Sequence, residues 1–143
     1  MTAFLDSLSA AATLAGEHAE DVDAHSRFPS EAVDALREAR ALSALPDGVP
    51  FDEVARACEL LARRCSATAM IFAMHQSQVA VLVQHRAAWP WIESYIADLS
   101  REQRLISSVT SEIVTGGGMG RSVARVAHDG DGMRFSKQPP PLR

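Results

Sequence analysis

The sequence predicts a mainly α fold: an N-terminal helical domain over 1–104, a short incomplete antiparallel β segment over 105–137 and a proline-rich tail over 138–143. Three observations carry this. Apolar residues recur at three- and four-residue intervals up to about residue 104, as they do on the buried face of an amphipathic helix. Beyond that point Ser122-Val-Ala-Arg-Val-Ala alternates apolar and polar, and Asp129-Gly130 followed by Asp131-Gly132 supplies turn chemistry before a returning Met133-Arg-Phe-Ser strand. Glycine and proline also change distribution, with six of the eight glycines beyond Thr115 and three prolines together at Pro139, Pro140 and Pro141.

Each helix has its own justification. A first one is expected from about Ala3 to His25, where Phe4, Leu8, Ala11, Ala12, Ala15, Ala19 and Val22 form one stripe. Pro29 suits the first turn of a second helix with Ala32, Val33, Leu36 and Ala39 inward, ending before Pro46. After a connector over Leu42 to Val49, Phe51 to Cys65 restores helical spacing through Val54, Ala57, Cys58, Leu61 and Ala62. Ser66 is placed to cap the next helix, about Ala67 to Gln84. That helix is apolar nearly all round at both ends, as a central helix is, and its polar middle, His75-Gln76-Ser77-Gln78, needs a separate explanation. Pro90 opens a last helix through Ile92, Tyr95, Ile96 and Leu99, with Trp89 and Trp91 packing at its start.

Composition bounds the partners. Eighteen acidic and fourteen basic side chains give a formal charge of −4, so nothing draws the chain onto phosphate backbones, and nucleic acid is not an expected partner. The apolar run from Ala67 to Met74 stops at His75, short of the roughly 20 residues of a membrane span. Met1-Thr-Ala-Phe-Leu-Asp has no basic start of the secretory kind, and Cys58 and Cys65 lie two helical turns apart, too far for a disulfide within one helix. The expectation is a cytoplasmic protein with free thiols and no membrane partner. No cluster with metal-ligand spacing occurs, so no metal is expected.

The order of several short motifs resembles the acyl-CoA dehydrogenase family of flavoproteins. These are Phe28-Pro29 opening a helix that ends Ala35-Leu36-Arg37-Glu38-Ala39, Val49-Pro50, Cys65-Ser66-Ala67-Thr68-Ala69, Met74-His75, and Thr110-Ser111-Glu112 before glycines. The resemblance implies a helical domain leading into a middle β-domain, an FAD (or FMN) cofactor, a small-molecule acyl-CoA or aromatic or heterocyclic substrate, and homo-oligomers, tetrameric in full-length members. It also implies a longer chain. Lys137 is similar to the lysine at which the family continues its β-domain, whereas Gln138-Pro-Pro-Pro-Leu-Arg cannot continue a sheet ladder, because proline has no donor. The expectation is therefore a truncated or split product, inactive in isolation, that would need a complementing chain.

The same resemblance assigns roles. Ser107 to Glu112 is similar to the segment that meets the flavin pyrimidine edge, which implies that Ser108, Thr110 and Ser111 contact flavin through hydroxyls able to donate and accept. The plainer reading is a strand with a polar exposed face. Thr115 to Ser122 matches neither phosphate-loop spacing, and where the family usually carries Gly-Ser-Asp this chain has Gly116-Gly117-Gly118. Flavin contact there would come from the backbone amides of Gly116 and Gly117, the alternative being a surface turn. His75 resembles, by its helix, a histidine near the flavin in monooxygenases of this fold, and would act as catalytic acid or base near neutral pH. The alternative for His75 is a hydrogen-bonded core histidine. A non-catalytic helical assembly module derived from the family is the rival reading for the whole chain.

Overall fold

The spacing that predicts each helix also decides which face it buries. The computed structural model describes residues 2–108 and 122–137, and separates into a unit over Met1–Ser107 and a second over Ser108–Arg143. In the first unit α1 spans Ala3–Ser7, α2 Ser9–Glu17, α3 Ala19–Ala24, α4 Ser30–Glu38, α5 Phe51–Ala62, α6 Ser66–Gln84 and α7 Pro90–Glu102, with a 3-10 turn at Ala41–Ser43. The fold is mainly α with a small two-stranded antiparallel β segment, as the sequence predicts.

The expected single helix over Ala3 to His25 is instead jointed at Leu8 and His18. At both joints the carbonyl still accepts a helical hydrogen bond from the next turn, Ala12 N–H to Leu8 O at 2.9 Å and Val22 N–H to His18 O at 2.9 Å, so the run tightens locally without ending. Hydroxyls returning to backbone carbonyls beside the first joint, Ser7 to Phe4 and Ser9 to Asp6, compete for acceptors and bend such a run. The buried stripe is Leu5, Leu8, Ala11, Ala12, Ala15 and Val22; small residues let α2 lie close against α4 and α5.

Pro29 caps α4 from outside the helix, and Pro90 is the first residue of α7, where its missing N–H costs nothing. Cys65, not Ser66, is the N-cap of α6; Ser66 is the first helical residue. Ala62 is exposed, against expectation, because α5 ends its buried face at Leu61. Val54, Ala57 and Leu61 of α5 meet Phe72 and Ala69 of α6 in the main core with Leu8, Leu36 and Leu42. A smaller cluster joins Ala15, Val22, Ala32 and Cys65.

α6 is central, but not through its apolar ends. Its buried residues are Thr68, Ala69, Phe72, His75, Gln76 and Val79. Ile71 and Leu82 are half-buried, while Met70 is 63% exposed. Trp89 and Trp91, expected in the packing, are both exposed. By length and composition alone α6 could cross a membrane. In the fold it instead sets a row of buried polar groups against other backbone.

In the second unit β1 (Arg125–Asp129) pairs antiparallel with β2 (Gly132–Ser136); β1 begins three residues beyond the start of the predicted stretch Ser122 to Ala127, while β2 contains the predicted Met133 to Ser136. The two-residue turn takes positive φ at Gly130, +61°, and not at Asp131, as a type II′ hairpin requires. Partner residues share a face, so Val126 with Phe135 and His128 with Met133 make one largely apolar side. Arg125, Ala127, Asp129, Arg134 and Ser136 make the other, where Arg134 donates to Asp129 at 2.6 Å. Every strand residue is exposed within this hairpin, including Phe135.

Candidate functional site: a buried polar junction around the 3-10 turn

Arg40 enters the 3-10 turn in a left-handed conformation, φ +56°, and the turn's residues Ala41, Leu42 and Ser43 are all fully buried. A turn this short leaves backbone groups unpaired, and buried ones need partners. Three side chains supply them. His75 Nε2 donates to Leu42 O at 2.8 Å, Gln76 Nε2 donates to Ala41 O at 2.9 Å, and Gln103 Oε1 accepts from Leu42 N–H at 3.2 Å. Gln103 also donates to Ser43 Oγ at 2.7 Å and to Ser100 O at 2.8 Å. The polar middle of α6 thereby has its explanation: it is the partner set of a buried turn more than thirty residues away in the chain.

Local sequence positions these groups. His75 and Gln76 are adjacent on α6 and both reach the turn because it lies across that face of the helix. Gln103 sits at the C-cap of α7 with φ +49°, and the Arg104 N–H returns to Leu99 O at 3.2 Å, a left-handed helix end that turns the Gln103 side chain inward. Ser43 Oγ donates to Asp47 at 2.5 Å. Gln76 Oε1 and Thr68 Oγ1 are buried without a hydrogen-bond partner among the described residues; the Gln76 amide cannot be turned to help, since Ala41 O only accepts.

The second ring nitrogen of His75 is also engaged. Nδ1 accepts from Ile106 N–H at 3.0 Å, so the proton must be on Nε2 and the imidazole is neutral. Burial pushes its pKa below the ordinary 6.5, opposed by the bond to Leu42, which favours a ring that donates. His75 is fully buried, and a proton-transfer role would require one of these two bonds to be released. As placed, the ring holds backbone. Among the residues to which the resemblance assigns flavin contact, Ser108 is half-buried, and Thr110, Ser111, Gly116 and Gly117 lie outside the described residues. Of the predicted site residues, only His75 and Ser108 are among the described residues.

In comparisons with known proteins, no family model, no curated protein and no solved structure matches this chain. Ile106 closes one side of a groove of about 250 Å³ with Gln78, Val81, Leu82, Trp91 and Tyr95. A larger cleft of about 610 Å³ lies beside the start of α6, where Asp23, Arg27, Arg64 and Cys65 are among its walls. Neither includes His75 or Ser108. Cys58 and Cys65 are free thiols, and burial pushes the Cys58 thiol up, away from reactivity. Among the described residues no three His, Cys, Asp or Glu side chains gather as metal ligands.

Sequence reasoning singled out His75 but missed Gln103, Ser43 and Thr68. Gln103 carries no local signal, since a polar residue after the last turn of a helix is ordinary. The only available hint was the 41–44 stretch, Ala-Leu-Ser-Ala, too apolar for a surface connector.

Proposed function

We propose that this chain is the helical domain and opening β segment of an acyl-CoA dehydrogenase-like flavin-dependent oxidoreductase, of the dehydrogenase or the monooxygenase-like branch, acting on an acyl-CoA or an aromatic or heterocyclic substrate. One observation carries this reading. The helices occur in the order the motif resemblance implies, around α6, and the next elements after Glu102 among the described residues are the two strands of an antiparallel hairpin. Flavin, when bound, supplies the electron acceptance or oxygen chemistry. The residues of this chain that would hold its pyrimidine edge are Ser108, Thr110 and Ser111, with the amides of Gly116 and Gly117 alongside. Ser and Thr hydroxyls suit that edge because it presents both donors and acceptors. His75 supports the segment leading to Ser108 through Ile106. A homo-oligomer or complementing chain would cover the apolar side of the hairpin, Val126, Met133 and Phe135, because two strands alone are marginal in water.

The rival reading, a non-catalytic helical assembly module, is favoured by one specific observation: both nitrogens of the would-be catalytic His75 are spent on backbone. Titrating the ¹⁵N-labelled chain with FAD and FMN separates the two. The oxidoreductase reading expects flavin to bind the isolated chain weakly or not at all, weaker than about 1 μM, since one chain offers a fraction of a flavin site, with any amide shifts confined to Ser107–Ser111 and Gly116–Gly117. Flavin-induced shifts that leave those residues unmoved would overturn it in favour of the module. Binding tighter than about 1 μM would overturn the view that the chain needs a partner to hold flavin.

A further inference from the structure

The chain leaving α7 is tied to the helical unit at two consecutive residues. Leu105 packs against the main core, and the next residue donates its N–H to His75 Nδ1 at 3.0 Å. His75 holds its only proton on Nε2, for Leu42 O at 2.8 Å. One ring thus joins a turn 33 residues before it to a segment 31 residues after it, and only in one protonation state. We propose that His75 is a positioning residue working as a proton-gated latch: its neutral Nε2–H form clasps Leu105–Ser107 to the helical unit, and protonation of the ring releases that segment.

The reason is donor arithmetic. Protonation places a second N–H on Nδ1, directed at the Ile106 N–H that already occupies that line, and two donors cannot share it. The Leu42 carbonyl is fully buried and keeps its partner in both states, while Ile106 is half-buried and next to exposed Ser107, so the Ile106 amide is the group that gives way. Charged groups on the elements packed against α6 do not decide the matter. On the connector Arg40 faces Asp47 at 3.8 Å; on α7 Arg101 pairs with Asp98 at 2.6 Å; on α5 Arg56 faces Asp52 at 3.8 Å and Arg63 pairs with Glu59 at 2.5 Å; on α3 Asp21 pairs with Arg27. All of these are at least partly exposed, and what moves the titration of His75 is burial and its bond to Leu42. The latch rests on the proposed flavin reading only for its consequence. Release of Leu105–Ser107 would withdraw Ser108, the next residue, from any flavin it touches.

The test uses the whole chain without flavin, so failure of flavin binding leaves it intact. Long-range ¹H–¹⁵N spectra of the His75 ring at pH 7.5 should show the Nε2–H tautomer. As pH is lowered, the Ile106 amide should lose exchange protection in step with His75 protonation while the Leu42 amide stays protected. Ile106→Pro removes the facing N–H, and His75 should then titrate about 0.4 to 1 pH unit higher than in the wild type, the equivalent of one backbone hydrogen bond. His75→Asn, a shorter amide that carries no titrating proton, should abolish the pH step at the neighbouring Ser107 amide. An Nδ1–H tautomer, an Ile106 amide whose protection ignores His75 titration, or an unchanged His75 titration in Ile106→Pro would each overturn the latch. A flavin response at Ser108 that persists with Ile106 released would overturn its proposed consequence while leaving the oxidoreductase reading standing.

Discussion

Gln103→Ala tests whether the buried junction stabilises the helical unit. Gln103 is 7% exposed and makes three hydrogen bonds, but removing them does not orphan three partners. Ser43 Oγ keeps Asp47 at 2.5 Å, and Ser100 O keeps the Arg40 guanidinium at 3.0 Å. Leu42 N–H has no substitute, and an unpaired buried donor costs about 1–3 kcal/mol. Two further bonds between satisfied groups add about 0.5–1 kcal/mol each, so the expected loss is about 2–5 kcal/mol. A second substitution isolates the backbone. At φ +49° an L-residue is strained, so Gln103→Gly should be more stable than Gln103→Ala by about 1 kcal/mol despite losing the same hydrogen bonds. Urea unfolding followed by far-UV circular dichroism, with slopes compared to confirm that the unfolded state is unchanged, reads both differences. A loss under about 0.5 kcal/mol for Gln103→Ala would refute the argument that Leu42 N–H depends on this side chain. A glycine variant no more stable than the alanine one would refute the strain argument.

Two further outcomes follow from the core and from the surface charges. Phe72→Ala empties the fully buried centre of α6 and should cost about 3–5 kcal/mol, whereas truncating exposed Met70 to alanine should cost under about 0.5 kcal/mol; the same urea series measures both. Arg27 bridges α3 and α4 through Asp21 and a two-pronged contact with Glu31 at 2.9 and 3.1 Å, and its hydrogen bonds hold the Glu31 carboxyl down to about 2 from an ordinary 4.5. A depressed carboxyl stabilises above its unfolded value and loses that contribution as pH falls from about 4.5 toward 2, so the gap in urea midpoint between wild type and Arg27→Ala should close over that window. A gap that stays constant from pH 6 to 2 would show that the Arg27 bridge does not contribute.

The helices and the hairpin were legible in the residues because they are local. Three- and four-residue spacing named the buried faces of α2, α4, α5 and α7, proline marked where α4 and α7 begin, and Asp129-Gly130 marked the turn between β1 and β2. These features depend on neighbours within one helical turn or one hairpin, and a chain carries that information in its order. The exposure of Met70 and both tryptophans, and above all the purpose of His75, were decided only by tertiary structure. A histidine amid Met74 and Gln76 reads equally as a catalytic group or a core group until its partners are known. Those partners, Leu42 and Ile106, lie 33 and 31 residues away, and Gln103 meets Leu42 across 61. Pairings of that range arise from which buried backbone groups are left without a partner once the helices pack, and no local periodicity records that.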